Sequence, residues 1–175
     1  MLEGVLVFVL AAPLWLGTPQ APVAERYGAW FFVSRSGAPL VSAAVEGIPA
    51  GHAAWGPAFS RSLIIRCDRG RLAGTLHAST RQGIEPLSST GMAVNTTRVG
   101  VRFDAEPMTW DVWHREFDSV SPPDDFFERL ARAREALVEV AVSCKGCGAP
   151  ARVRLRIPTD GFAEALGALR AACES

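Results

Sequence analysis

The sequence predicts a mainly β, α+β fold: an antiparallel β-sandwich-like domain with two packed helices, at about residues 122–136 and 160–173. Three observations predict it. Apolar and polar side chains alternate with a period of two through most of the chain beyond Glu25, the pattern of strands with one face in a core. Two segments replace that period with three- and four-residue spacings, the pattern of amphipathic helices. A length of 175 residues, 49% of them hydrophobic, 9% aromatic and 21% charged, suffices for one core and stands well away from disorder.

Taken in order, the alternating runs are Trp30 to Arg35, Leu40 to Glu46, Ser62 to Cys67, Arg71 to His77, Met92 to Phe103, Met108 to Phe117, Leu137 to Ser143 and Arg152 to Ile157. Cys67-Asp68-Arg69-Gly70 places Asp early and Gly late in a tight turn, and Asp104-Ala105-Glu106-Pro107 is a polar break between two aromatic-rich runs, so both read as hairpin connections. In the last run Arg152, Arg154 and Arg156 alternate with Val153, Leu155 and Ile157. One face of that strand is therefore charged and the other apolar, and the arginine row reads as a solvated face rather than an anion site.

The first helix is expected after Ser121-Pro122-Pro123-Asp124, which offers a capping hydroxyl, prolines where helical N–H groups are spare, and an acid three residues on. Phe126, Phe127, Leu130, Ala133 and Leu137 form its apolar stripe, with Glu128, Arg129, Arg132, Arg134 and Glu135 opposite. The second starts near Thr159 or Asp160, and Phe162, Leu166, Leu169 and Cys173 follow at spacings of four, three and four. The longer irregular stretches, Gly47 to Ser60 and Ser79 to Thr90, are where a loop-borne site is sought first.

Ahead of this domain, Gly4 to Leu16 is apolar apart from Pro13, a run of 13 residues. That is short of the roughly 20 a spanning helix needs and suits a signal-peptide core. The chain therefore divides into an N-terminal apolar segment, 1–24, and a single β-rich domain, 25–175. Ala21 or Ala24 can precede a cut, each with a proline (Pro19, Pro22) two residues before it, at the third position before the cut, and the segment before the run carries Glu3 and no Lys or Arg. Export to the periplasm or beyond is the expectation. The alternative is an N-terminal buried helix of a cytosolic protein, and a stable membrane span requires that the segment stay uncleaved. No cysteine follows the run directly, so no lipid-modified N-terminus is expected.

Charge excludes some partners. The basic side chains are 17 Arg and Lys145, balanced by 18 acids, which argues against a nucleic-acid surface. Behind an export signal, four cysteines favour disulfides. Cys67 shares the inward face of its strand with Leu63 and Ile65, and Cys173 lies on the apolar stripe of the last helix, so the two are expected to bond. The alternative is a pair of free buried thiols. Cys144 and Cys147 lie on a predicted hairpin tip, Cys144-Lys145-Gly146-Cys147. A redox dithiol instead opens a helix that lowers its thiol pKa. A local disulfide across the turn is expected, with zinc or free thiols as alternatives. Zinc needs a second ligand pair, and only Cys67, Cys173, His52, His77 and His114 are on offer, each alone.

The chain has no G-x-S-x-G elbow, no G-x-x-x-x-G-K-[ST] loop, no H-E-x-x-H and no G-x-G-x-x-G opening a helix. No enzyme activity and no cofactor are expected. The densest mixture of aromatic and titratable groups is Trp110-Asp111-Val112-Trp113-His114-Arg115-Glu116. Trp110, His114 and Glu116 share one strand face and would make a ligand platform, but tryptophans in such a strand more often fill the core. His52 and Trp55 stand in a Gly/Ala/Pro-rich loop, and Asn95-Thr96-Thr97 is a glycosylation sequon only in a eukaryotic secretory pathway.

Trp30, Leu63-Ile64-Ile65-Arg66-Cys67, Val99-Gly100-Val101-Arg102-Phe103-Asp104, Trp110, Phe127 through Leu137-Val138-Glu139-Val140, and Gly161-Phe162 leading to Leu169-Arg170-Ala171-Ala172-Cys173 follow one another at spacings that resemble the exported accessory proteins of the VasI type found with bacterial type VI secretion. The resemblance implies a periplasmic, non-catalytic helper that meets a protein partner in the envelope. It carries over no catalytic residue, only Cys67 and Cys173 as a structural pair. The expectation is thus an exported accessory or binding module. The alternative is a small thiol- or zinc-dependent enzyme, or a zinc-stabilised cytosolic domain, built on the Cys144 and Cys147 hairpin.

Overall fold

Alternation of apolar and polar residues builds strands through most of the chain, and a computed structural model shows how they pair; it describes residues 23–34, 38–48, 61–78, 83–84, 95–142 and 151–174. The strands are β1 (Val23–Tyr27), β2 (Trp30–Ser34), β3 (Leu40–Ala44), β4 (Glu46–Ile48), β5 (Ser62–Asp68), β6 (Arg71–His77), β7 (Thr96–Phe103), β8 (Thr109–Arg115), β9 (Ser119–Ser121), β10 (Ala136–Val142) and β11 (Ala151–Ile157). The helices are α1 (Asp124–Leu130) and α2 (Phe162–Cys173). Among the described residues the strands form one eleven-stranded sheet in the order β1-β2-β3-β5-β6-β9-β8-β7-β10-β11-β4.

The expected class, mainly β and antiparallel with two helices, is what the structure shows, and its layers are the two sides of a single sheet. Only Val45 separates β3 from β4. β3 pairs with β2 and β5 while β4 pairs with β11, and the Val45 amide still donates to the Arg61 carbonyl at 2.9 Å. One bent strand therefore holds the third and the last places in the order, so the sheet closes on itself from β5 round to β11, with β2 and β1 continuing beyond β3. Inside lie Leu63, Ile65, Leu76, Val99, Val138, Val140, Val153 and Leu155, all buried.

The turn between β5 and β6 takes the form expected. Asp68 pairs with Arg71, and the two residues between them, Arg69 and Gly70, have φ of 52° and 77°. Positive φ at both central positions suits the twist of a two-residue hairpin. Three short elements were not legible in the sequence: β1, which begins at Val23 within the segment expected to precede the domain, β4, whose Gly47 and Ile48 pair with β11 although the stretch from Gly47 was expected to be irregular, and the three-residue β9.

α2 agrees with expectation. Phe162, Ala165, Leu166 and Leu169 are buried, and the helix packs against β1, β2, β3 and β5. Trp30 is the centre of that seam: it is fully buried, its ring lies 4.6 Å from that of Phe162, and its indole N–H donates to the Pro158 carbonyl at 3.1 Å.

α1 departs from expectation. It spans seven residues instead of reaching about residue 136, and Pro123 occupies its N-cap position with no side-chain cap, Ser121 being the last residue of β9. A long-range contact ends it early. The Asp104 carboxylate accepts the backbone N–H groups of Arg134 and Glu135 at 2.7 and 2.9 Å, holding that backbone out of the helix and turning it into β10. Leu137, expected on the helical stripe, is buried in that strand.

Candidate functional site

β8 presents its side chains alternately inward and outward, so Trp110 and Trp113, an odd number apart, fall on opposite sides of the sheet. Trp113 is 3% exposed and meets Phe126 edge-on at 5.3 Å, so the core-filling expectation holds for it. For Trp110 it does not: this indole is 38% exposed on the outer side, next to Val112 at 51%.

Gly100 is what lets the Trp110 ring lie across β7. The two residues are partners in the β7–β8 register, and a Cβ on Gly100 would stand 3.1 Å from the ring, so any larger residue would push the indole aside. The ring is flanked by guanidiniums, with Arg98 5.2 Å and Arg152 5.1 Å from its centroid. Both distances are within reach of a cation–π attraction.

The same Arg152 reaches Glu139, the partner of Gly100 on β10. Arg152 Nη1 donates to Glu139 Oε1 and Arg154 Nε to Oε2, each at 2.7 Å. These bonds explain how an acid can be 3% exposed on the outer side of the sheet. Burial by itself pushes the Glu139 carboxyl up, but the hydrogen bonds and charges of Arg154 and Arg152 outweigh it and hold the group below the usual carboxylate range. The row continues through Arg156, bonded to Glu46 at 3.1 Å and paired with Glu135 at 3.6 Å, and Arg102 stands 3.8 Å from Glu135. At that end lies an open pocket of about 210 Å³ lined by Glu46, Arg134, Glu135 and Arg156.

The arginine row is thus half exposed, as expected, and also tied to carboxylates. Arg98, Gly100 and Glu139 are members of this face that reading the sequence for motifs missed. Glu139 did leave a signal: it is one acid in an apolar strand, Leu137 to Val142, followed by a strand of alternating arginines.

Among the described residues the other candidates do not gather into a second site. Cys67 and Cys173 form a disulfide, as expected, with Cα atoms 5.5 Å apart at a sequence separation of 106; the bridge ties the end of α2 to β5. Cys144, Cys147, His52 and Trp55 lie outside the described residues. His77 lies 3.9 Å from Asp118, and His114 is exposed on β8. Glu116 lies beyond the end of that strand. Among the described residues no three His, Cys, Asp or Glu side chains come together as metal ligands, and no helix is long and apolar enough to cross a membrane. What the Trp110 face offers is recognition chemistry: a flat aromatic surface, guanidinium donors and an adjoining aliphatic side chain.

No protein-family model matches the chain. No curated protein matches it either. Among solved structures it is similar to that of invasion associated protein B from Bartonella henselae, with a TM-score of 0.57 and 13% sequence identity over 87% of this chain and 99% of that one. At that identity the similarity is one of fold alone, and it carries no residue of a shared site.

Proposed function

We propose that the chain is an exported, non-catalytic accessory or binding module of a bacterial envelope, and that it engages a protein partner through the Trp110 face. The observation that carries the binding reading is the placement of Trp110 and Val112, 38% and 51% exposed beside half-exposed arginines. Trp and Arg are the side chains most enriched where proteins meet. Holding an indole on the surface between two guanidiniums preorganises it, which lowers the entropic cost of docking.

Export is supported by the apolar run from Gly4 to Leu16 and by the Cys67–Cys173 bridge, since disulfides persist in oxidising compartments. The fold neighbour's description as invasion associated is compatible with a role at the envelope. The resemblance to VasI-type proteins supplies type VI secretion as the setting.

A photo-crosslinking residue in place of Val112, in the chain expressed in its native host, tests the proposal. The expected result is one dominant crosslinked protein in the envelope fraction, carried by a chain that has lost about 20–24 residues at its N-terminus. A full-length chain in the cytosol, or no crosslink from position 112, overturns it.

A further inference from the structure

We infer that the partner brings carboxylates: the Trp110 face is a docking surface for an acidic segment of a protein. This deepens the binding reading above and rests on it. The chain has no net charge, with 18 basic and 18 acidic side chains, but the charges are unevenly placed. Arg98, Arg102, Arg152, Arg154 and Arg156 stand on the outer side of β7 and β11, and three carboxylates lie against this row, Glu139 of β10, Glu135 just before it and Glu46 of β4. That leaves an excess of two positive charges, the difference between five and three. Glu139 lies beneath the row, 3% exposed, whereas the side chains of Arg152, Arg154 and Arg156 are 59%, 51% and 49% exposed. At Arg152 and Arg154 an approaching molecule therefore meets guanidiniums before the carboxylate beneath them, whereas at the Arg156 end Glu46 and Glu135 are exposed too.

Guanidinium is the group best matched to a carboxylate, because its planar fork donates two parallel hydrogen bonds. Trp110 and Val112, two residues apart on the same side of β8, place apolar surface next to those donors. Acidic residues interleaved with aliphatic ones meet both features at once.

The same arrangement disfavours the polyanions. Glu46 and Glu135 border the row at its Arg156 end, where they would repel a continuous phosphate backbone. An excess of two charges is also small against the several phosphate contacts that hold a protein on nucleic acid, or the basic clusters that hold one on an anionic membrane.

The test uses the purified, ¹⁵N-labelled chain and a short synthetic peptide alternating Glu with Leu, compared with the same peptide carrying Gln in place of Glu. The Trp110 indole signal is identified by its loss in Trp110→Phe. The Glu peptide is expected to shift that signal and to bind at least about tenfold more tightly than the Gln peptide, with affinity falling as salt rises. Arg98→Gln is expected to weaken it several-fold. Val112→Glu, which alters only an exposed position and so keeps the fold, should abolish it by like-charge repulsion. Equal binding of the two peptides, no binding of either, or a Trp110 shift with phosphatidylglycerol vesicles in place of the Glu peptide overturns the inference. Crosslinking from position 112 decides the binding reading separately: a captured partner together with a silent Glu peptide means that the face binds, and that the carboxylate chemistry assigned to it is wrong.

Discussion

On one side of the closed sheet, α2 presses Phe162, Leu166 and Leu169 against the strands around Trp30, and Cys173 is bonded to Cys67. On the other, Arg152 and Arg154 converge on Glu139 while Arg98 and Arg152 flank Trp110. The first region is apolar and covalently tied, and each large side chain it removes from water contributes in proportion to its area. The second is ionic and half exposed. There the attraction between charges is largely offset by desolvation and by solvent screening, so the arginine row contributes little net stability and mainly fixes the shape and charge of the surface. With the binding function proposed for the Trp110 face, stability and recognition fall on different sides of one sheet.

The largest effect is expected at the α2 seam. Trp30→Ala removes a fully buried indole and leaves the Pro158 carbonyl without its donor, at a cost of about 3–5 kcal/mol, read from chemical denaturation. A loss below about 1 kcal/mol, the size expected of a surface substitution, would break the comparison, because the seam would then be no more stabilising than the arginine row.

Next comes the covalent tie. Cys173→Ser opens a bridge that spans 106 residues and is expected to cost about 2–5 kcal/mol, chiefly by releasing the unfolded chain. The difference from the parent should vanish when both are unfolded in reductant; if it persists, the cost comes from packing at the end of α2.

The smallest effect is expected on the ionic side. Glu139→Gln keeps the shape but loses two charge-assisted bonds, at about 1–2 kcal/mol near neutral pH. Its pH dependence separates charge from packing. The folded-state pKa of Glu139 is depressed below an unfolded value of about 4.3, so its contribution is fully present above that value and is lost as pH falls through the folded value. The parent's advantage over the Gln variant should therefore shrink below about pH 4. A constant advantage down to acid pH would assign the effect to packing alone.

Much of the fold was legible because strand and helix patterns are local. The run Arg71 to His77 is β6 with the same limits, and Arg152 to Ile157 falls one residue short of β11. The α2 stripe also placed Cys173 where Cys67 could reach it. The candidate site was legible only in pieces: the arginine row and Trp110 stood out, but not that Glu139 joins them. The length of α1 was misread because Asp104, about 30 residues away in sequence, takes the amides that would have continued it. Trp110 was misread because the tendency of strand tryptophans to fill the core was applied to it and to Trp113 alike, although the two lie on opposite sides of β8.

The sequence by itself determined which residues share a face, since a period of two or of about 3.6 is a property of the backbone within a few residues. It thereby set arginines out and aliphatics in on β11, and sent Trp110 and Trp113 to opposite sides of β8. The tertiary structure alone decided what each face meets. Glu46 reaches Arg156 across 110 residues only because the chain bends at Val45 to close the sheet, and Glu139 is buried only because the register sets it between Gly100 and Arg154. Those partners are chosen by pairing between distant strands, and no local pattern encodes that choice.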